Sequence, residues 1–507
     1  MAHRIRAPNV EGPTRIMDEA ARPGIATHYL RYTIGNVLVM VAGFVSFPIM
    51  TRLLSNTEYG VFGYVDTWLL ILAGVFKLGG QHAIIRFYPH RGGFNALGRF
   101  GANFVLLPLL CSIVFWLLAI AGYGIWSLLY PPERPIIGWI GLGLLLPTIW
   151  MSFVTSVLTA EERSDLSVRV SVGSRWLDAV FILLVIYFLE RNALGVYAAR
   201  LGSAIVVTLC LTIWLSRRVP LRWRDRDFAQ WFAGVRYGVP MMANELSSVL
   251  LSFVDRLMLK HLMGAFAPVG VYTIGYGLAM TINTLLQNAL FTAFTQVSVR
   301  QFETEGPQAV VRTKRLLLHI LVYVVIAMCV CLITVGPDAL LLLAGPDKAA
   351  SAPVFVLIGI NYALDGLFGI CFTGLLLHKR SGLVFAMTLA ATVLNVLLNL
   401  VWIPAYGVMG AVYATFASFI LLTVLHYVTC PRELRVWPDR NATLIACVLG
   451  LLVWLVADVS GLFGLTSHFE RLLAMGVLMM GLYIAPALAL DRPLREAVQT
   501  WVRNRFA

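Results

Sequence analysis

The sequence predicts an all-α polytopic membrane protein of about fourteen transmembrane helices, built as two parallel six-helix repeats followed by a C-terminal helical hairpin. Three observations predict it. Hydrophobic side chains make up 59% of the 507 residues and charged ones only 13%, with a mean hydropathy of +0.80, far from soluble-domain usage. Apolar runs of roughly 20 residues recur along the chain, the length a helix needs to cross about 30 Å of hydrocarbon. The loops between those runs alternate between basic-rich and basic-poor. Helices follow rather than barrel strands, because the runs are too long for strands and a backbone in lipid must satisfy its own polar groups.

Taken in order, residues 1–28 mix Arg4, Arg6, Arg15 and Arg22 with Glu11, Asp18 and Glu19, and no small-residue cleavage site follows the first apolar run. They read as a cytoplasmic tail, not a signal peptide. Residues 29–220 form the first six-helix bundle, with spans near 31–53, 61–85, 100–123, 136–160, 168–189 and 193–216. Residues 221–436 form the second, with spans near 237–260, 271–298, 316–336, 353–377, 383–404 and 407–429. Spans near 442–464 and 470–490 make an additional hairpin within 437–490, and 491–507 is a cytoplasmic C-terminal tail.

The loops on one side carry Arg86, Arg91 and Arg99, then Arg163 and Arg169, then the dense run Arg217, Arg218, Arg222, Arg224 and Arg226. Farther on, the same side carries Arg300, Arg312, Lys314 and Arg315, then Lys379 and Arg380, then Arg432, Arg435 and Arg440. The other side has Arg52, Arg134, Arg191, Lys260, Lys348 and Arg471. About thirty basic residues against about six implies an inner (plasma) membrane protein, multi-pass, with both termini cytoplasmic. These loops account for the formal charge of +13, and no nucleic-acid partner is expected. The outer loops are short, the longest near 457–470, which weighs against a polymerase or ligase with an external active site.

The seven cysteines, Cys111, Cys210, Cys329, Cys331, Cys371, Cys430 and Cys447, lie in or beside apolar runs, with no Cys-x-x-Cys pair and no His at ligand spacing. They read as small buried hydrophobes, so no metal or disulfide is expected. The chain carries no phosphate-binding loop, nucleophile elbow or zincin motif. No cofactor and no covalent chemistry are expected, and the predicted activity is transport rather than catalysis.

Two stretches support an internal duplication. Thr51–Val65 (TRLLSNTEYGVFGYV) follows the first span and resembles Lys260–Ile274 (KHLMGAFAPVGVYTI) after the seventh. Likewise, 155–166 and Leu194–Ala198 echo Thr373–Phe385 and Tyr406–Ala411. The unit is six spans. Six is even, so both copies enter the membrane in the same orientation and leave a cavity between them.

Ionisable groups at membrane depth cost at least a few kcal/mol each, so they mark a partner or a hydrated lumen. In the second span Asp66, Lys77 and Gln81 fall within about 60° on one helical face. Asp66 and Lys77 stand about 16 Å apart along the axis, so Lys77 needs another partner, and a bound anion is a candidate. The seventh span places Asn244, Ser248, Ser252 and Asp255 on one face, with Glu245 and Arg256 beside them; Tyr272, Tyr276, Asn283 and Gln287 share a face of the eighth. Arg175 and Asp178 stand at i,i+3 in the fifth span, where they either pair or face the lumen, and Arg200 lies about two turns into the sixth. Asn395 and Asn399 stack at i,i+4 with Thr388 and Thr392, a pattern that more often knits helices than binds sugar; Asn361 and Asp365 form a similar pair.

By depth, Arg31, Arg86 and Arg175 lie toward the cytoplasm, Lys77 lies near the middle, and Arg200 and Arg256 lie toward the outside. Such a series suits a diphosphate, because guanidinium pairs with phosphate oxygens and Lys offers a compact charge. Lys77 and Arg200 are the strongest candidates, since Arg31, Arg86 and Arg256 sit close enough to helix ends to snorkel. Asp66, Glu245, Asp255 and Asp365 are the candidates for ion coupling.

The segment Leu394–Thr415 (LNVLLNLVWIPAYGVMGAVYAT) resembles the LNxxLNxxxIPxxGxxGAxxAT signature of Wzx-type polysaccharide flippases, of the multidrug/oligosaccharidyl-lipid/polysaccharide superfamily. Val254–Leu259 (VDRLML) leading into Val269–Tyr272 (VGVY) is similar to that family's seventh-span motif and the start of the eighth. Thr51–Leu54, Glu58–Gly60, Leu78–Gly79 and Arg86–Phe87 match in the first half, so the likeness runs from about 28 to 430. It departs at Lys77–Gly80 (KLGG), where many relatives carry an acidic residue before Leu-Gly. The resemblance implies a fold like that of the superfamily's multidrug exporters and alternating-access translocation of a polyprenyl-diphosphate-linked oligosaccharide, such as an O-antigen, lipopolysaccharide or exopolysaccharide repeat unit. Polysaccharide polymerase and export proteins are implied partners. The alternatives are a cation antiporter of the related multidrug-efflux class, or a scaffold or polymerase of an assembly complex.

Overall fold

The computed structural model describes residues 25–506 apart from 90–92, 190, 287–291, 379, 460 and 462–463, and every regular element among them is helical. The first half comprises α1 (Ile25–Leu53), α2 (Asn56–Phe76), α3 (Gly80–Phe87), α4 (Gly93–Phe100), α5 (Leu107–Leu129), α6 (Pro135–Ala160), α7 (Ser164–Phe188) and α8 (Ala193–Ser216). A π-helical stretch, Gly101–Leu106, joins α4 to α5. The second half comprises α9 (Phe228–Met263), α10 (Phe266–Leu286), α11 (Thr292–Thr304), α12 (Pro307–Ala344), α13 (Ala352–Phe368), α14 (Phe372–Leu377), α15 (Ser381–Tyr406) and α16 (Val408–Thr429). There follow α17 (Arg440–Val459), α18 (His468–Leu478), α19 (Ala485–Leu490) and α20 (Arg492–Phe506).

Local sequence accounts for the boundaries. Ser55 Oγ accepts from the Glu58 N–H at 3.2 Å and starts α2, Asn192 Oδ1 accepts from the Gly195 N–H at 2.9 Å and starts α8, and Asp227 caps α9 through the Ala229 N–H at 2.9 Å. Gly407, at φ +60°, is the single residue between α15 and α16. Three residues on, a Cβ on Gly410 would stand 2.0 Å from the Trp402 carbonyl oxygen, so the Gly-x-x-Gly of the Leu394–Thr415 signature is what lets these helices fold back so tightly.

Eleven described helices have the length and apolar composition to cross a membrane. Helices also lie at the other three predicted positions. Polar and charged side chains interrupt α9, glycines and polar side chains lower the hydropathy of α10, and among the described residues α1 offers the apolar stretch Leu38–Leu53. The expected span 61–85 is not one helix. It breaks at residues 77–79, where Leu78 (φ +48°) and Gly79 (φ +70°) turn the chain between α2 and α3.

The two halves meet chiefly along α2 and α10, with α9 against α2 and α3. A Cβ on Gly60 would lie 1.9 Å from the Phe266 carbonyl oxygen, and one on Gly270 would lie 1.8 Å from the Asn56 carbonyl oxygen. A Cβ on Gly63 would meet Thr273 Oγ1 at 2.3 Å. Gly60 and Gly270, like Gly63 and Thr273 and like Asn56 and Phe266, are separated by the same 210 positions. Each copy therefore meets its own counterpart across a pseudo-twofold axis, as a duplicated pair of parallel repeats requires.

The basic-poor turns gather at one end of the bundle. There Arg52 donates to the Leu342 and Leu343 carbonyls at the end of α12, Lys348 Nζ donates to the Leu54 carbonyl, and Glu58 pairs with Arg134 and accepts from the Ala193 N–H. The C-terminal hairpin packs on α12 and is held at both ends. Asp338 accepts from His468 Nδ1 at 2.6 Å and from Arg471 at 3.0 Å, while Asp491 accepts from Tyr323 at 2.7 Å and lies 3.0 Å from His319 Nε2. Of the six cysteines described, only Cys430 is buried, and Cys210 and Cys447 are exposed on the outer face of the helices. Those two therefore do not belong to the protein core.

Candidate functional site between the halves

The break between α2 and α3 builds the first cluster. Gly79 is left-handed, and a Cβ there would stand 2.0 Å from the Gly238 carbonyl oxygen, so only glycine lets this turn press against α9. The turn brings Lys77, Gln81 and His82 around one carboxylate on the facing helix. Lys77 Nζ donates to Glu245 Oε1 at 3.1 Å, Gln81 Nε2 donates to Oε2 at 2.7 Å, and His82 Nε2 lies 3.2 Å from Oε2. The Lys77 side chain is 12% exposed and that of Glu245 is 36% exposed. The expected continuous stripe of Asp66, Lys77 and Gln81 is interrupted by the turn at 77–79. Lys77 was expected to need a partner other than Asp66, with a bound anion as one candidate, and here that partner is Glu245.

Arg200 donates to Asp66 at 2.6 Å within the first half. Its guanidinium also lies 5.6 Å from the Phe62 ring and 5.7 Å from the Tyr197 ring. Arg175 is exposed and does not pair with Asp178; Asp178 accepts instead from Ser203 Oγ at 2.8 Å. Arg86 is exposed, 6.0 Å from the Tyr237 ring. The side chain of Arg31 and the whole of Gln287 lie outside the described residues, and Asn283 is half-buried.

Arg256 differs most from expectation. Sequence position suggested snorkelling, yet only 4% of it is exposed. Its Nε donates to Thr273 Oγ1 at 3.3 Å, and the guanidinium stacks 4.6 Å from the Phe253 ring and 4.9 Å from the Tyr276 ring. Among the described residues no carboxylate lies within ion-pairing distance of it. The α9 helix runs past it to Met263 and α10 covers it, so this cation sits inside the half interface beside Gly63 and Thr273.

Its neighbour Asp255 points the other way, into the second half, and is fully buried. Tyr272 donates to it through a short hydrogen bond, as do Thr415 at 2.7 Å and Asn399 at 2.6 Å. Asn399 also donates to Asn395 at 3.0 Å. The buried Asn395 Nδ2 and Asn399 Oδ1 have no protein partner. Asn395 and Asn399 were expected to knit helices; they do so through a carboxylate, and Tyr272, expected on a polar face of the eighth span, and Thr415, the last residue of the Leu394–Thr415 signature, complete the set. Asp365 and Asn361 do not bond each other, and Asn361 Nδ2 is buried without a partner.

Six ionisable side chains at or near the contact between halves thus stand, among the described residues, in four distinct states. Lys77 and Glu245 neutralise each other across it, Arg200 and Asp66 do so on one side of it, Arg256 is held only by rings and a hydroxyl, and Asp255 has only neutral donors. The space beside Lys77, Asn103 and Trp231 amounts to about 10 Å³, about what one water needs. The halves are in backbone contact at Gly60 and Gly270 and again between Gly79 and Gly238, while Glu245, Asp66 and Arg200 keep part of their side chains exposed.

Comparisons with known proteins agree with this architecture. The sequence model of the polysaccharide biosynthesis protein family matches residues 28–299. The chain is similar in structure to the lipid II flippase MurJ in an inward closed conformation, with TM-score 0.73 and 12% identity over 91% of this chain and 99% of that one. It is also similar to a multidrug resistance MATE family transporter of the MOP superfamily in an inward-facing conformation, with TM-score 0.59 and 16% identity over 79% of this chain and 96% of that one. A MOP superfamily transporter from Pyrococcus furiosus follows, with TM-score 0.54 and 15% identity over 85% and 96%. No curated protein matches. Identities this low speak for fold alone, and the fold is that of MurJ and the MATE transporters. The family match covers more than half of the chain and carries the remaining step: this protein belongs to the polysaccharide biosynthesis protein family.

Proposed function

We propose that this transporter-fold protein is a flippase that moves a polyprenyl-diphosphate-linked oligosaccharide from the cytoplasmic to the outer leaflet of the inner membrane by alternating access. The observation that carries the proposal is the Lys77–Glu245 pair, which crosses from one half to the other. Rocking the halves apart pulls that pair open. A cation and a carboxylate left bare at membrane depth cost several kcal/mol, which water and an anionic headgroup offset. The diphosphate then takes the place of Glu245 at Lys77 and finds Arg256, which has no carboxylate to surrender. Arg86 and Arg31 receive the headgroup at the cytoplasmic end, and Arg200, stacked beside Asp66, supports the passage. The polyprenyl tail stays in lipid throughout.

Energy comes from an ion gradient or the membrane potential, and Asp255 is the preferred coupling residue. It is a buried carboxylate among three neutral donors, so a proton or a cation can complete it, and α9 carries its charge state directly to Arg256. A polysaccharide polymerase and export proteins are the partners this reading implies, and an O-antigen or exopolysaccharide repeat unit is the cargo class. The test is reconstitution in vesicles with a fluorescent polyprenyl-diphosphate oligosaccharide. The expected result is transbilayer movement without chemical change, impaired in Lys77→Ala, Arg200→Ala and Arg256→Ala proteins that still insert and fold. Efflux of a cationic dye with no movement of the lipid-linked sugar would make the protein an antiporter, and a lengthened glycan would make it a polymerase.

A further inference from the structure

We propose that the linker between the two halves, Arg217–Asp227, is a docking site for anionic phospholipid headgroups. The linker leaves α8 at Ser216 and enters α9 at Phe228. It contains five arginines and two aspartates, and the structure separates the two signs. Arg217, Arg218, Arg222, Arg224 and Arg226 are all exposed. The aspartates are spent inward: Asp227 accepts from the Ala229 and Gln230 N–H groups of α9, and Asp225 packs where Gly98 leaves room, 2.7 Å from the position a Cβ would take. The five arginines are therefore the exposed charges of the linker, and its two aspartates are half-buried.

That surface is held in shape. Asn103, fully buried on the π-helical stretch, accepts from the Asp227 N–H at 2.7 Å and donates to the Asp225 carbonyl and to Gln230 Oε1, each at 3.5 Å. A Cβ on Gly101 would meet the Pro220 carbonyl oxygen at 2.5 Å, so the chain lies directly on that stretch. The linker is a fixed platform rather than a loose tether. A single turn, Trp223–Asp225, stacks the Arg226 guanidinium 4.7 Å from the Trp223 ring.

Apolar rings point to lipid rather than to free phosphate. Trp223, Phe228 and Phe232 are 49%, 57% and 63% exposed, and the two phenylalanines share one face of α9 at i,i+4. Exposed aromatics beside a basic cluster at the end of a spanning helix are the composition of a headgroup-level anchor. A cluster of that size next to a span binds anionic lipid through charge. A soluble phosphate ligand gives no account of the rings. Because the platform joins α8 to α9, lipid held there bears on the helix that carries Glu245, Asp255 and Arg256. The proposal does not require that the cargo be a sugar lipid.

The test uses the full-length protein in nanodiscs of phosphatidylcholine alone and of phosphatidylcholine with phosphatidylglycerol, followed by amide hydrogen exchange of the linker peptides. Anionic lipid is expected to slow exchange across 217–232 by on the order of tenfold at low salt, with the effect fading at high salt. A variant carrying Arg217→Gln, Arg218→Gln, Arg222→Gln, Arg224→Gln and Arg226→Gln is expected to lose the difference between the two discs. Equal exchange of the wild-type linker in both discs overturns the proposal without recourse to any variant, and so does a difference that survives when the five linker arginines are replaced. Inorganic phosphate that reproduces the protection in neutral discs overturns the assignment to lipid.

Discussion

Gly60→Ala is the smallest change that separates two descriptions of the half interface. Helix propensity alone says that it stabilises α2 by about 1 kcal/mol. Packing says the reverse. The new Cβ falls 1.9 Å from the Phe266 oxygen, 2.7 Å from its carbonyl carbon and 2.9 Å from the Gly270 nitrogen. All three are backbone atoms, so no change of rotamer relieves the contact, and α2 and α10 must move apart by about 1 Å to restore ordinary separation. Overpacking of that kind costs about 1–3 kcal/mol, and 2 kcal/mol shifts a closed-to-open equilibrium about 30-fold. The assay is maleimide labelling in nanodiscs of a Thr273→Cys protein whose native cysteines have been replaced. Thr273 is 6% exposed behind Gly63, so labelling reports separation of the halves. Adding Gly60→Ala is expected to speed labelling at least tenfold. Gly270→Ala does the same by symmetry, and the double variant resembles either single one, because helices already parted do not clash twice. Labelling left unchanged or slowed, in a protein made more heat-resistant, refutes the reasoning.

Three further outcomes are expected. Lys77→Met and Glu245→Gln each slow translocation of a lipid-linked oligosaccharide about tenfold or more, and a double-mutant cycle returns a coupling of about 1–3 kcal/mol; independent, additive effects would show that the pair does not act as one. Asp255→Asn keeps the size and the surrounding hydroxyls but removes the charge, so translocation measured with and without an imposed ion gradient loses its gradient dependence; an unchanged dependence moves coupling elsewhere. Burial pushes the Asp491 carboxyl up, but the Leu494 N–H, the Tyr323 hydroxyl and His319 outweigh it and hold the group below the ordinary aspartate range. A depressed folded value means that this stabilisation is present above the unfolded value of about 3.9 and is lost as pH falls through the lower folded one. Thermal melts between neutral and strongly acid pH should therefore fall less steeply for Asp491→Asn than for wild type, and parallel slopes would remove Asp491 from the account.

The fold was legible because hydropathy and charge report the same thing independently, and the duplication was legible in the likeness of Thr51–Val65 to Lys260–Ile274, which lie against each other at the half interface through Gly60 and Gly270. The Leu394–Thr415 signature was legible as a motif and opaque as chemistry. Nothing local shows that Asn399 and Thr415 converge on Asp255, 144 and 160 positions earlier. The break at Lys77–Gly79 was hidden because apolar residues resume at Ala83–Ile85 beyond it, so the run reads as one span. Lys77 and Glu245 stand 168 positions apart, and only the matching of opposite charges at similar depth in two spans could have suggested the pair. Arg256 was misjudged for a simpler reason. Depth was counted from Lys260, whereas α9 continues to Met263 and is covered by α10.

The hairpin fastened to α12 has a mechanical consequence. Asp338 and Asp491 grip it at opposite ends of the same neighbour, so it has no hinge of its own and travels as a keel with the second half. Motion of that half is therefore passed on to α20, the helix that follows Asp491. A dye or an antibody epitope carried on that terminal helix would follow each rocking stroke from a position remote from the cargo path.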